Sequence, residues 1–264
     1  MRAMPRPRNY KTEAVVLRQM SLGEADRILT LYTPDMGKLR TVAKGIRRAK
    51  SRLSGHLELL NCVSISLSQG RNLDVITEVQ AIQSFRGFRD DLQLLSRALY
   101  VAELVDRFSI ERSPNYEVYR LLLETLTWLE QAGQSDLLLR HFEMRLLEYS
   151  GYKPELHACV ECRSKLEPGN HYFSSAVGGV LCPACRVKSD DAMIPVTLNA
   201  MKVLRFLQRD ADYAGASKLN VPSKLQAEIE RLLHAYVRFL VERELKSAEF
   251  MSLVSSSPTT HSSG

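Results

Sequence analysis

Four cysteines in the second half of the chain have the spacing of a metal site. They form two pairs, CVEC at 159–162 and CPAC at 182–185, separated by 19 residues. Two residues between paired cysteines allow both sulfurs of a tight turn to reach one ion, and two such pairs are typical of a four-thiolate zinc site. Their polar, turn-rich surroundings argue against free thiols packed as small apolar side chains. The sequence therefore predicts one structural Zn²⁺, with no open position for water or substrate, bound by Cys159, Cys162, Cys182 and Cys185.

A zinc deaminase is the catalytic alternative, because these enzymes combine H-x-E with P-C-x-x-C. The sequence has HLE at 56–58 and HFE at 141–143, but Leu181 precedes Cys182 where a deaminase has proline. The first cysteine pair would also have no role. The fifth cysteine, Cys62, stands alone at the start of an apolar strand and is expected to be a buried core thiol.

Other enzyme classes have no recognisable signature in this sequence. There is no G-x-x-x-x-G-K-[ST] loop, no G-x-G-x-x-G, no G-x-S-x-G and no H-E-x-x-H. The sequence therefore favours a binding protein without enzyme activity.

Positive charge is concentrated near the N-terminus. Residues 1–86 hold 15 Lys and Arg against 7 Asp and Glu, whereas the remainder holds 21 against 23. The segment KLRTVAKGIRRAKSR at 38–52 contains seven basic side chains and no acidic one. Such a field attracts a polyanion, most commonly a nucleic-acid backbone, although a solvated, solubilising face is the simpler alternative. The predicted DNA-binding residues are Lys38, Arg40, Lys44, Arg47, Arg48, Lys50 and Arg52.

The basic segment lies among short strands, and the rest of the chain has helical periodicity. Apolar runs indicate five strands in about 70 residues. Turn residues separate these runs, for example TPDMG at 33–37. This number suits a small closed barrel of the OB type, and other small barrels fit too. After Phe85 one apolar stripe follows a helical period, and later helices have caps at Ser135, Thr197 and Ser223. The stripe consists of Phe88, Leu92, Leu95, Leu99 and Ala102.

The predicted fold is therefore a multi-domain α+β protein. An OB barrel covers 1–86, an all-α domain covers 87–154 and 189–250, a zinc insert covers 155–188, and a disordered tail covers 251–264. No apolar run approaches the ~18 residues of a membrane span, and the charged N-terminus is unlike a secretory signal. We expect a cytoplasmic protein that does not contact membranes.

The stretch GEADRILTLYTPDMGKLRTVAKGIRRAKSR resembles the N-terminal domain of the bacterial RecO family of DNA repair proteins. The matching positions are EAVVL at 13–17, Gly23-Glu24, Asp26, Gly37-Lys38, AKG at 43–45, Arg47-Arg48 and Lys50-Ser51. A helical domain with a C-x-x-C…C-x-x-C insert also fits the family, so the resemblance covers nearly the whole chain.

The resemblance implies a non-enzymatic recombination mediator that is associated with the bacterial nucleoid. Family members bind single- and double-stranded DNA through the OB fold, anneal complementary strands and carry a zinc site in many cases. It also implies that RecR, the C-terminal tail of single-strand DNA-binding protein (SSB) and, indirectly, RecA are partners. An RNA-binding OB module with a structural zinc remains the alternative.

Overall fold

The computed structural model describes residues 8–48, 51–132, 135–186, 193–209 and 212–256. Within them the chain forms two compact units, the first extending to Gly151 and the second starting at Tyr152. The first unit carries the basic segment, and the second carries the cysteine pairs.

Five strands of the first unit close into a barrel. They are β1 (Asn9–Leu22), β2 (Asp26–Thr33), β3 (Gly37–Ala43), β4 (Cys62–Ser68) and β5 (Asp74–Gln83). Their order around the barrel is β1-β2-β3-β5-β4, with β3 and β5 parallel and the other pairs antiparallel. This closed, five-stranded arrangement confirms the predicted OB-like fold. Alternating residues of each strand fill the interior, including Leu29, Leu31, Leu39, Val63, Ile65 and Leu67.

The turn between β2 and β3 forms as its residue types predict. The Thr33 hydroxyl donates to the Gly37 carbonyl at 3.0 Å and accepts from the Met36 amide at 3.1 Å. Gly37 has φ of +64°, and a Cβ there would overlap the backbone carbonyl of Ser113. Only glycine therefore allows residue 37 to pass this close to the chain after the second helix.

Four helices complete the first unit: α1 (Gly87–Asp90), α2 (Leu92–Phe108), α3 (Tyr116–Ala132) and α4 (Asp136–Tyr149). Asp91 separates α1 from α2 and caps α2 by accepting from the Gln93 and Leu94 amides. Ser135 caps α4 as predicted. Of the predicted stripe, Phe88 and Ala102 are buried, whereas Leu92 is 80% exposed and Leu99 is also exposed. The other residues that α2 buries are Ala98, Val101, Leu104 and Val105.

The described part of the second unit contains a small sheet and four helices, of which the first is a single turn that carries the second cysteine pair. Its strands β6 (His171–Ser174), β7 (Gly179–Leu181) and β8 (Ile194–Val196) form a sheet in the order β7-β6-β8. The helices are α5 (Pro183–Arg186), which is that turn, α6 (Leu198–Arg209), α7 (Tyr213–Ala216) and α8 (Ser223–Ser256). Thr197 caps α6 as predicted, and its amide and hydroxyl both donate to the Glu228 carboxylate.

Two predicted boundaries differ from the structure. The helices α1–α4 belong to the same compact unit as the barrel, because α2 packs on β1 and ion pairs join Lys38 to Asp106 and Asp74 to Arg112. The predicted tail at 251–264 is wrong for 251–256, where α8 continues because this stretch has no proline or glycine to end the helix. The rest of that tail lies outside the described residues.

A buried carboxylate fastens the barrel to the chain that follows α2. Asp74 accepts from the Tyr10 hydroxyl at 2.5 Å, from the Arg112 guanidinium at 3.0 Å and from the Gly70 amide. Burial raises the pKa of this carboxyl, but the three hydrogen bonds and the charge of Arg112 outweigh it, so its pKa is lowered.

Asp74→Asn is expected to lower the free energy of unfolding by about 2 kcal/mol at neutral pH, since it removes a buried, charge-assisted hydrogen-bond acceptor. Because the folded pKa is below the unfolded value of about 3.9, the carboxylate stabilises the fold above that pH and loses this contribution as the pH falls through the folded pKa. Urea denaturation followed by the fluorescence of the single tryptophan, Trp128, should show the difference between variant and wild type shrinking from pH 7 to pH 3. A difference that stays constant over this range would contradict the assignment.

Candidate nucleic-acid interface and metal centre

The outer face of β1, β2 and β3 carries a row of polar and basic side chains. The strand register pairs Arg18 with Thr30 and Thr30 with Arg40, so these three residues lie side by side across three strands. Adjacent strands are about 4.8 Å apart, which puts the two arginine backbones about 10 Å apart. Arg18 and Arg40 are both exposed. In an OB fold, the strand 2–3 face and its neighbouring loops are where oligonucleotides bind.

A cavity of about 250 Å³ opens on this face. Met20 and Ile28 form its apolar part, next to Arg18 and Arg40. Asp106 and Glu111, from α2 and the chain after it, add negative charge to its lining. The cavity therefore combines basic, apolar and acidic side chains.

The part of the basic segment that follows β3, residues 44–52, is called the basic loop. Its first residues are held beside the β1–β2 turn. The Arg47 amide donates to the Ala25 carbonyl at 3.0 Å, and the Gly45 amide donates to Asp26 Oδ1 at 2.7 Å. Ile46 is buried in the barrel core. These contacts hold residues 45–47 against the barrel. They place this segment at the β1–β2 turn, at one end of the strands whose outer face carries Arg18 and Arg40.

Most of the predicted DNA-binding cations that the structure describes are open to solvent. Arg47 is exposed, although one guanidinium nitrogen donates to the Gly23 carbonyl at 3.4 Å. The others that are exposed are Arg40, Lys44, Arg48 and Arg52. Lys50, which was also predicted, lies outside the described residues.

Lys38 is engaged differently from the other predicted cations. Its ammonium lies 3.1 Å from Asp106 Oδ1 and donates to the Asp106 carbonyl at 2.6 Å. Its backbone carbonyl accepts from the Arg112 amide. Lys38 thus links β3 to the end of α2. This partner was not predictable from local patterns, because Asp106 is 68 residues away along the chain.

Arg18 joins the basic face although it is not among the predicted DNA-binding residues. Tyr32, an aromatic residue of β2, does not face solvent. Tyr32 is 1% exposed, and its hydroxyl donates to the Asn115 carbonyl at 3.3 Å. It cannot serve as an open aromatic platform.

The four predicted metal ligands come together in the second unit. The Sγ atoms of Cys159, Cys162, Cys182 and Cys185 all lie within 4.8 Å of one another. The Cys162 and Cys182 sulfurs are 3.9 Å apart, close to the ~3.8 Å edge of a tetrahedron with metal–sulfur distances of about 2.3 Å. The donor set and its dimensions therefore fit a metal ion held by four thiolates. Cys62, in contrast, is buried in the first unit, as predicted.

Two backbone turns present these sulfurs. In the first, the Cys159 amide donates to the Ser164 carbonyl and the Arg163 amide returns to the Cys159 carbonyl, both at 2.9 Å. In the second, the Cys185 and Arg186 amides both donate to the Cys182 carbonyl. The Cys182 amide also donates to Cys159 Sγ at 3.4 Å, which links the two turns.

The surroundings of the thiols favour negative charge at one of them. The hydroxyl of Ser164, 3.0 Å from Cys162 Sγ, is the largest influence that lowers the pKa of Cys162, to about 6. Burial raises the pKa of Cys159, but backbone amides, led by that of Cys182, lower it overall. Metal binding requires thiolates, so these hydrogen bonds prepare the site for a cation.

Gly179 brings the two halves of this site into contact. A Cβ at residue 179 would lie 2.5 Å from a methyl carbon of Val160 and 2.9 Å from the Glu155 carbonyl oxygen. The Val160 amide donates a hydrogen bond to the Val180 carbonyl at 3.0 Å, so β7 is also bonded to this turn. The close approach of β7 to the first cysteine turn therefore depends on glycine.

No helix in the described ranges is long and apolar enough to cross a membrane.

Comparison with known proteins assigns both parts of the chain to one family. The model "Recombination protein O N terminal" matches residues 4–85, and "Recombination protein O C terminal" matches residues 89–249. The first of these models ends at residue 85 and the second begins at residue 89, whereas the compact units divide after residue 151.

Full-length relatives agree with the family models. A "DNA repair protein RecO" of Dehalococcoides mccartyi is 42% identical over 252 residues, covering 96% of this chain and 98% of the relative. Proteins of the same name from Roseiflexus sp. (40% identical, 93% of this chain and 86% of the relative) and Symbiobacterium thermophilum (37%, 94% and 98%) also match. With both domain models and these near-complete alignments, the chain belongs to the RecO family of DNA repair proteins.

Proposed function

We propose that this chain is a DNA-binding recombination mediator that anneals complementary single strands. With RecR it would help to load RecA on SSB-coated DNA, and it would recognise SSB through the C-terminal tail of that protein. The observation that supports the DNA-binding part is that one barrel carries exposed cations both on the outer face of β1–β3, at Arg18 and Arg40, and in the basic loop, whose first residues are held against the β1–β2 turn. The RecR, SSB and RecA parts follow from the family, whose curated members are named DNA repair proteins.

The chemistry of the surface suits annealing. A protein that pairs two strands must hold their backbones and leave the Watson–Crick edges free. Exposed arginines and lysines hold phosphates without regard to sequence, whereas stacking needs open aromatic rings. Tyr32 is buried, which leaves the described part of this face to cations and to Met20 and Ile28.

We assign a structural role to the metal centre and no chemical step to the chain. Cys159, Cys162, Cys182 and Cys185 would hold one Zn²⁺, the ion that prefers four thiolates in a tetrahedron. When bound, the ion would supply cross-linking of the two cysteine turns, and it would leave no ligand position for a substrate.

Strand annealing tests the proposal directly. We expect the triple variant Arg40→Ala/Arg47→Ala/Arg48→Ala to bind single-stranded DNA about 50-fold more weakly at about 150 mM salt, since three phosphate contacts are lost. Its annealing rate should fall with its affinity, both on bare and on SSB-coated strands. The measurements are fluorescence anisotropy for binding and energy transfer between labelled strands for annealing.

The matched control removes three exposed cations elsewhere, in Lys218→Ala/Lys224→Ala/Arg231→Ala. It should anneal like the wild type. Equal loss in both variants, or no loss in the first, would refute the placement of the DNA site. A strong preference for RNA over DNA of the same sequence would instead support the RNA-binding alternative.

A further inference from the structure

A second basic cavity lies in the second unit, and its lining contains none of the residues that the sequence assigned to DNA. It has a volume of about 560 Å³ and lies along α6 and the segment that leads to the first cysteine turn. Its lining consists of Lys153, His157, Lys202, Arg205, Phe206, Gln208 and Arg209. This described lining contains three kinds of basic side chain and no carboxylate. We name it the α6 groove.

Helix α6 is amphipathic, and its basic face forms one wall of the α6 groove. Positions 202, 205, 206 and 209 are spaced as one helical face, and the opposite face buries Ala200, Met201, Leu204 and Leu207. The apolar face fixes α6 in the core of its unit. The basic face is thereby left to line the cavity along two turns of helix.

Two hydrogen bonds hold the other wall of the groove in place. The Arg205 guanidinium donates through Nε to the Leu156 carbonyl at 2.9 Å, and the Gln208 side-chain amide donates to the Pro154 carbonyl at 2.8 Å. Both acceptors lie between Lys153 and His157. The wall that carries these two residues is therefore fixed to α6, and the cavity is a formed feature of the unit.

Phe206 gives the groove a component that the barrel face lacks. Its ring is half-buried, and the Arg209 guanidinium carbon lies 5.4 Å from the ring centroid. An aromatic ring next to several cations is the combination that binds single-stranded nucleic acid, with a base on the ring and phosphates on the cations.

We propose that the α6 groove is a second binding site for single-stranded DNA. The occupant follows from charge complementarity with a polyanion and from the aromatic ring, which offers a base a stacking partner. The inference rests on the proposed function in one respect: annealing needs two strands on one protein, and the barrel face accounts for one of them. The α6 groove would hold the other.

Cross-linking tests the site without requiring annealing. We would irradiate the full chain with a labelled 12-mer of thymidine in which single bases are replaced by iodouracil, and map the adducts by mass spectrometry. The expected result is an adduct at Phe206 in addition to adducts in the barrel, with two oligonucleotides bound per chain at saturation. Adducts confined to the first unit would overturn the proposal.

Variants of the groove define its contribution. Lys153→Ala/Lys202→Ala/Arg209→Ala should bind the second oligonucleotide about 50-fold more weakly at about 150 mM salt, with the first site within about threefold of the wild type. Arg205 is left intact because it holds Leu156. Phe206→Leu keeps apolar volume in the groove and should lower second-site affinity about tenfold through lost stacking. Unchanged stoichiometry and affinity in both variants would refute the site.

Two further outcomes separate this inference from the proposed function and from a protein partner. Wild-type protein that cross-links at Phe206 but does not anneal would uphold the groove and refute annealing, whereas annealing without that adduct would do the reverse. A poly-aspartate peptide of matched charge serves as competitor. If it displaces the oligonucleotide from the groove at lower concentration than unlabelled DNA does, the groove is a peptide site and the proposal fails.

Discussion

Cys159→Ala is expected to unfold the segment between Glu155 and Arg186 and to abolish metal binding. The two cysteine turns are short, and the described contacts that join them beyond the sulfurs are the Cys182 amide on Cys159 Sγ and three backbone hydrogen bonds between residues 155–160 and 178–180. Binding of a structural zinc in units of this size contributes on the order of 10 kcal/mol of folding free energy, so its loss exceeds what the three-stranded sheet can compensate.

Metal analysis and limited proteolysis check this prediction. Wild-type protein should contain one zinc per chain, and Cys159→Ala or Cys182→Ala should contain close to none and should be cut rapidly within 155–186. The matched control is Cys62→Ala, the same substitution at a buried thiol outside the cluster, which should retain the metal. Protease resistance that survives both chelation and Cys159→Ala would show that the segment folds without an ion.

The first unit should keep its fold in the same experiment. Its barrel core and the helices α2–α4 bury their own apolar side chains, and Trp128 lies within this unit and reports on it. We therefore expect the tryptophan signal of Cys159→Ala to show the wild-type denaturation midpoint.

The barrel and the cysteine cluster were predictable because both depend on local patterns. Alternation in β4, from Cys62 to Ser68, fixes which side chains face inward, and the C-x-x-C turns bring paired sulfurs together wherever they occur. Five strands are enough to close a small barrel, and four thiolates are enough to complete a tetrahedral zinc site, so the number of strands and of cysteines predicted both. These are the features for which a single sequence carries enough information.

Features that depend on distant partners were not predictable. The spacing of Leu92, Leu95 and Leu99 suggested the buried face of α2, but Leu92 and Leu99 are exposed and the helix buries Ala98, Val101 and Val105, because α2 packs on β1, α3 and α4 together. Helix α4 buries Arg140 and Glu143, 2.9 Å apart, inside a stretch where charge would ordinarily mark a solvent face. Such buried pairs are stabilised by tertiary neighbours that periodicity does not reveal.

The basic residues of the site likewise include features that were predictable from the sequence and features that were not. Charge composition located the basic segment, and its exposed arginines agree with a surface role. Composition could not distinguish Lys38, whose ammonium is neutralised by Asp106, from Arg47, whose charge faces solvent. This difference has a measurable consequence for binding.

DNA affinity is expected to fall steeply with salt and to respond selectively to these two residues. If Lys44, Arg47, Arg48, Lys50 and Arg52 each neutralise one phosphate of a single strand, they contribute about −3.5 to the slope of log affinity against log salt. Their contribution alone weakens binding about 100-fold between about 50 and 200 mM salt. Arg47→Ala/Arg48→Ala should make the slope shallower by about 1.4, since each lost phosphate contact accounts for about 0.7.

Lys38→Ala supplies the discriminating control, because it removes one charge from the same 15-residue segment. Its ammonium is held by Asp106, so the slope should match that of the wild type even if stability falls slightly. Titrations of full-length protein at five salt concentrations resolve a difference of one phosphate contact. A slope that changes equally for Lys38→Ala and for single arginine variants would mean that net charge alone attracts DNA, and the fixed arrangement of loop and strand face would then have no part in binding.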